Sequence, residues 1–172
     1  MAICHMKSHE WKWGLLIGAA NFVWLAVSWA LGFHGRGIGM IQVTVAMGGF
    51  LYFAGYVFAL RSLVKSEPEM GFLEGLRSGA LMSVIAAICA VVGQVLYFRF
   101  LNPGWTDYMV GETRKHFADL GLDETQLAEI AEGAKTTFGF TSYATQAGIG
   151  ALFQGVLFSA IIMGVLRWMA RR

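Results

Sequence analysis

The sequence predicts an all-α, polytopic membrane protein with four transmembrane helices and an amphipathic helical hairpin between the third and the fourth. The first observation is composition: of 172 residues, 56% are hydrophobic and 14% are charged, whereas soluble proteins average about 45–50% apolar and about 25% charged residues. The second is four uncharged apolar runs that approach the roughly 20 residues a helix needs to cross a bilayer core of about 30 Å. Hydrocarbon offers backbone N–H and C=O groups no partner, so such runs must be helical.

The predicted spans lie within one membrane domain that covers residues 1–172. They run over about 13–33, 41–60, 78–98 and 143–166, and none contains Asp, Glu, Lys, Arg or His. An intramembrane charge is a usual mark of a proton-driven transporter. We therefore do not expect such a transporter.

The first two connections are short. Residues 32–39 are rich in glycine and predict a tight turn, so the first two spans should form an antiparallel pair. Residues 67–71 read as a turn that leads into a short interfacial helix, beginning near Phe72, before the third span.

The third connection, about 102–138, is too long for a turn and has helical patterning of its own. Asn102 and Pro103 predict a helix start, and Gly121 predicts its end. Asp123 followed by Gln126 is the pattern of a capping box, which predicts a second helix. We expect the two helices to fold as a hairpin over the extracytoplasmic mouth of the bundle.

Small residues recur every four positions, which lets transmembrane helices approach closely. The predicted packing residues are Gly14, Gly18, Gly71, Gly75, Gly79 and Gly155. The pattern suits packing among the four helices of one chain, and it also suits a seam between two copies.

Four neutral polar side chains fall in the half of the bilayer beneath the predicted hairpin: Gln42, Thr44, Gln94 and Gln146. Hydrogen bonds between helices explain such residues, at about 0.6 kcal/mol each. The alternative is a polar pocket, capped by the hairpin, that receives a lipid headgroup or a small polar solute.

The residues indicate no catalytic, cofactor or metal site, and we do not expect an enzyme. The spans have no Asp or His for an intramembrane protease, and no phosphate-binding glycine motif is present. Cys4, His5 and His9 have no second cluster to complete a metal shell. His5 and Met6 resemble a cloning junction, and whether residues 1–5 belong to the native chain stays open at this point. A net charge of +2 does not predict nucleic-acid binding.

The cations predict the orientation. Eight of the 13 Lys and Arg fall in the N-terminal tail, the second connection and the C-terminal tail, and the side richer in Lys and Arg is cytoplasmic. Both termini should therefore face the cytoplasm. Arg114, Lys115 and His116 then lie on the extracytoplasmic side. The simpler interpretation is a solvated helix face, and the alternative is a surface on which a partner docks.

Four segments resemble an uncharacterised bacterial family, the domain-of-unknown-function family 4199. They are KWGLLIG at 12–18, GFLEGLRSGAL at 71–81, FLNPGWTDYM at 100–109 and GLDETQLAEIAEG at 121–133. The resemblance spans nearly the whole chain and departs from the family at Asn102, where an Asp precedes the proline. It implies the four-span fold and a bacterial inner membrane, and it implies no particular activity.

Three functions remain open at this point. The first is an accessory or structural membrane protein that engages a second copy or another membrane protein. The second is a binder or carrier of a lipid or small polar solute, and the third is an oligomeric pore. Membrane lipid is the expected surrounding partner in all three.

Overall fold

The computed structural model describes residues 8–170, and this part of the chain consists of helices joined by short connections, with no strand. Its α-helices are α1 (Ser8–Ala30), α2 (Ile38–Ser66), α3 (Phe72–Leu96), α4 (Trp105–Asp119), α5 (Glu124–Thr137) and α6 (Phe140–Ala170). A short 3-10 turn, Phe33–Gly35, follows α1, and a π-turn, Tyr97–Leu101, extends α3.

Four helices, α1, α2, α3 with its π-turn, and α6, are long and apolar enough to cross a membrane. Their outward faces carry large apolar side chains that are mostly exposed, such as Phe58 at 64% and Phe153 at 68%. In water such a surface would be costly, because burying apolar area is the main favourable term in folding. Length, composition and outward apolar faces together describe a multi-pass membrane protein.

Glycine and serine set the distances between the spans. α3 makes its most extensive contact with α6 and its next with α1. A Cβ on Gly79 or Gly75 would overlap Ser159 or Met163 of α6, and one on Gly14 or Gly18 would overlap Ile85 or Cys89 of α3. A Cβ on Gly155 of α6 would overlap Ser83 and the Tyr56 hydroxyl. Five of the six predicted packing glycines therefore lie between helices of the same chain.

Gly71 does not share that role. It is exposed and stands one residue before α3, and its N–H donates to Glu74 Oε2 at 2.8 Å. A Cβ there would meet only this carboxylate, at 3.7 Å. The correct assignment for Gly71 is the N-cap of α3, because the helix has not yet begun at this residue.

The core lies in the half of the bundle toward the N-terminal end of α1. Tyr56, Leu60, Met82 and Met163 are fully buried there. The Tyr56 hydroxyl donates to Ser83 Oγ at 2.9 Å. Ser83 in turn donates to the carbonyl of Gly79, one helical turn back, at 2.7 Å, so buried polar atoms here have partners.

The helices α4 and α5 join the far ends of α3 and α6. Gly121, with φ of 84°, ends α4 in the left-handed conformation that glycine adopts without strain. Asp123 Oδ1 accepts from the N–H groups of Thr125 and Gln126, and Gln126 Oε1 accepts from the N–H of Asp123. The predicted capping box is thereby confirmed, and Arg114 and Glu124 form an exposed ion pair across the two helices.

Candidate functional site

A cavity of about 310 Å³ lies between the four spanning helices, in the half of the bundle nearest α4. Gly18, Tyr52 and Ala86 line it at the end next to the core, which we call the floor. His34 and Trp105 line it at the opposite end, which we call the roof. An apolar cavity of about 150 Å³ is enough to admit benzene, so this one has room for a larger molecule.

The cavity exists because glycine stands where larger side chains would fill the space. Gly48 and Gly49 of α2, Gly93 of α3 and Gly150 of α6 all line it. A Cβ built on Gly49 or Gly150 would meet nothing within 4 Å. Gly49 and Gly150 therefore border open volume, whereas Gly48 and Gly93 face Trp24 and Phe22 of α1.

The cavity opens sideways between α2 and α6. Val45 on α2 and Gln146 on α6 line it and are themselves exposed. Closer to the core the two helices meet, through the edge-on rings of Phe53 and Phe158 and the bond from the Tyr52 hydroxyl to the carbonyl of Ala151 at 2.9 Å. The opening therefore faces the surface that the spans present to lipid.

Three of the four residues predicted for a polar pocket come together here: Thr44, Gln94 and Gln146 line the cavity. Gln42 does not. It is exposed and lies in a separate recess with Glu112, Lys115 and His116 of α4, so its inclusion in the same pocket is wrong. Gln42 lies at the expected depth along α2 but on a different side of the helix.

His34 is the residue that the sequence did not indicate. Only 7% of it is exposed, and both ring nitrogens are engaged: Nε2 lies 3.1 Å from Ser28 Oγ and Nδ1 lies 2.5 Å from the Tyr97 hydroxyl. The Tyr97 hydroxyl also accepts from Asn102 Nδ2 at 2.9 Å. One network thus ties α1, the 3-10 turn and the π-turn together at the roof.

The partners of Ser28 and Tyr97 fix the protonation of His34. Ser28 donates its one hydroxyl proton to the carbonyl of Leu25 at 2.9 Å, so His34 Nε2–H must be the donor to Ser28. Tyr97, already accepting from Asn102, then donates to an unprotonated His34 Nδ1. Each N–H and O–H donor in this network therefore has an acceptor only when the His34 imidazole is neutral.

Burial also favours the neutral imidazole, since it lowers the pKa of His34 from the ordinary value of 6.5. Between the lowered pKa and 6.5 the unfolded chain binds a proton that the folded chain does not. By linkage, the free energy of unfolding then rises with pH through this window and falls as the pH drops below 6.5. The roof is therefore most stable at neutral and higher pH.

Trp105, the first residue of α4, closes the roof. Its side chain is 2% exposed, and its ring packs against His34, Tyr97 and Tyr143 with centroids 5.5, 6.0 and 5.9 Å away. Tyr108, one turn later, accepts the N–H of Gly37 at 2.9 Å. These contacts hold α4 against the 3-10 turn, the π-turn and the first residues of α2 and α6.

The chemistry of the lining is apolar and neutral. Among the described residues around the cavity there is no Asp, Glu, Lys or Arg, and His34 is neutral. The described range also contains no group of three His, Cys, Asp or Glu side chains that could hold a metal ion. His9 lies apart, with Nε2–H donating to the carbonyl of Ala59 at 3.2 Å, while Cys4 and His5 fall outside residues 8–170. The arrangement can hold a molecule by contact and hydrogen bonds.

These features define a helical, multi-pass membrane protein with a cavity between its spans. Residues 12–167 match the family described as protein of unknown function DUF4199, and the chain belongs to that family. Neither the curated proteins nor the solved structures include a match to the chain.

Proposed function

We propose that this protein binds a small lipid-like molecule in the cavity between its spanning helices. The observation that carries the proposal is the cavity itself, about 310 Å³ with a mainly apolar lining. Ligand sites are typically concave, apolar and supplied with a few polar groups that orient the ligand. This proposal adopts the second of the three functions that the sequence left open, and it involves no catalysis.

The lateral opening supports a ligand that arrives from the membrane. A molecule dissolved in the bilayer can pass between Val45 and Gln146 without crossing water. The floor, where Tyr52 bonds to Ala151, stops it from moving further along the bundle. Such a path suits a binder or carrier better than a pore, since a pore needs a continuous water route.

The proposal includes a location and an orientation. The excess of Lys and Arg beside the N-terminal ends of α1 and α3 and the C-terminal end of α6 favours a bacterial inner membrane protein with both termini in the cytoplasm. The cavity would then lie in the outer half of the bilayer. In this orientation α4 and α5 form an extracytoplasmic hairpin over the roof, supported by the bond from Thr106 Oγ1 to the carbonyl of Phe138 at 3.1 Å.

The proposal can be tested by native mass spectrometry of the protein extracted gently from membranes. The wild type should carry bound mass in the range of a small lipid. Gly150→Leu places a side chain in the open volume and should remove that mass. Gly164→Leu is the matched control: it is on the same helix, faces outward, and a Cβ there also meets nothing within 4 Å.

Three results would count against the proposal. Bound mass that survives Gly150→Leu as well as it survives Gly164→Leu would place the ligand elsewhere. A wild type that carries no bound mass in repeated extractions would remove the reason for a binder. A stable assembly of several empty copies would instead favour the accessory or pore functions, with a second copy of the chain as the partner.

A further inference from the structure

The strongest clue to the kind of ligand is the indole N–H of Trp105. The side chain is 2% exposed and lines the cavity, yet Nε1 has no hydrogen-bond partner. The Tyr143 hydroxyl interacts with the indole, but the two groups do not meet in the geometry of a full hydrogen bond. A buried N–H without a partner costs free energy. A ligand that brings a hydrogen-bond acceptor to Trp105 Nε1 would remove this cost.

Most of the other ring donors around the cavity are already engaged, the exception being the Tyr143 hydroxyl beside the indole. Trp24 Nε1 donates to the carbonyl of Thr44 at 2.9 Å, and Tyr52 donates to Ala151. The Tyr97 hydroxyl and His34 Nε2–H are both committed within the roof network. An incoming acceptor is therefore directed toward Trp105 and the Tyr143 hydroxyl next to it, in a cavity that the amides of Gln94 and Gln146 also line.

The residues that line the cavity also indicate the charge of the ligand. No described residue around the cavity is a Lys or Arg that could pair with an anion, and none is an Asp or Glu that could pair with a cation. A buried charge without a partner is disfavoured by far more than one hydrogen bond returns. A phosphate or carboxylate headgroup does not suit this site.

We propose that the ligand is an uncharged amphiphile whose single hydrogen-bond acceptor, a carbonyl or hydroxyl oxygen, binds the Trp105 indole N–H at the roof while its apolar body fills the glycine-lined space toward the floor. This inference rests on the proposed function and narrows it to one chemical class. It also gives the ligand a direction, with the polar end next to α4 and the apolar end next to Tyr52.

Three ten-carbon probes separate these requirements: decane, decan-2-one and decanoate, each with a terminal CF3 group. Binding to the protein in lipid nanodiscs is followed by 19F NMR and expressed relative to the probe dissolved in the lipid. Decan-2-one should bind about 2- to 10-fold more tightly than decane, the range for one hydrogen bond. Decanoate should bind roughly tenfold or more weakly than the ketone.

Trp105→Phe removes the N–H and keeps an aromatic ring. It should abolish the preference for decan-2-one over decane while changing decane binding by less than about twofold. Trp24→Phe is the matched control, since Trp24 also lines the cavity but its N–H is already bound to Thr44. That variant should keep the ketone preference.

A second measurement does not depend on the folding of a variant. In 15N-labelled wild type, the indole N–H resonance of Trp105 should move downfield when decan-2-one is added and stay in place with decane. If Trp105 does not respond, or if decanoate binds best, the inference is overturned and a cavity binder of another class remains. If none of the probes binds, decane included, the proposed function itself fails.

Discussion

Replacing Gly79 by alanine tests the tightest helix contact in the protein. A Cβ at this position would overlap both Oγ and Cβ of Ser159, on the facing helix α6. Both residues are fully or almost fully buried, so neither helix can turn the new methyl group toward lipid. The next atom, Ser159 Cα, would lie 3.7 Å away, an ordinary contact.

The expected loss follows from these distances. Adding a methylene-sized group to a packed contact costs about 1–3 kcal/mol. Alanine also favours the helix by about 1 kcal/mol over glycine, which would hide part of that cost. Gly164→Ala carries the same helix term with no contact within 4 Å. The difference in free energy of unfolding between the two variants should therefore be about 1–3 kcal/mol.

The assay is unfolding in mixed micelles of detergent and SDS, followed by tryptophan fluorescence. Ser159→Gly removes both atoms that the new methyl group would overlap. In the Ser159→Gly background, Gly79→Ala should therefore cost much less free energy of unfolding than it costs in the wild type. A coupling free energy near zero, or a Gly79→Ala protein as stable as Gly164→Ala, would refute this description of the α3–α6 contact.

Three further predictions concern single side chains. Tyr56→Phe should lower the free energy of unfolding by about 0.6 kcal/mol, because it removes the bond to Ser83; in a double-mutant cycle with Ser83→Ala the two losses should not add. The free energy of unfolding should fall as the pH drops below 6.5, because the pKa of His34 is lowered in the folded protein. His34 can contribute at most about 1.4 kcal/mol per pH unit to this fall. In thermal unfolding, His34→Gln should depend less steeply on pH, and an unchanged slope would contradict the neutral-imidazole network. Asp123→Ala should weaken the start of α5 by about 1 kcal/mol, seen as faster amide hydrogen exchange in its first turn, whereas Thr137→Ala at the exposed far end should leave that turn unchanged.

The helices were predictable because each rests on a local pattern. An uncharged apolar run is enough to specify a span, whatever it packs against. The capping box at Asp123 is local too, since both partners lie within three residues. Even so, the third span and its interfacial lead-in form one continuous helix from Phe72. No proline interrupts the backbone bonds between them, and Gly75 and Gly79 keep their N–H groups and stay helical.

The sequence predicts how far along the spans the cavity lies, but the prediction did not distinguish which side of each helix faces it. The depth of Thr44, Gln94 and Gln146 along the spans predicts a shared pocket, and all three line the cavity. Gln42 has a similar depth, but two residues turn a helix by about 200°. Gln42 and Thr44 therefore cannot face the same side, and this geometry, available from the sequence, would have separated them.

The roof could not be predicted. His34 sits in a glycine-rich turn, where the sequence pattern predicts exposure. It is buried because Trp105, 71 positions later in the sequence, packs over it from another helix. Glycines that face an empty volume, such as Gly150, likewise have no local signature that separates them from packing glycines such as Gly155.

Photoaffinity labelling would test the central claim, that the cavity is the ligand site, most directly. The probe is a ten-carbon methyl ketone with a diazirine at the far end of its chain, activated in native membranes and mapped by peptide mass spectrometry. We expect labelled residues on the cavity walls near the floor, such as Gly49 or Ala90, and weaker labelling in Gly150→Leu. Labelling confined to outward-facing residues such as Phe58 and Phe153, equal in both proteins, would contradict the account.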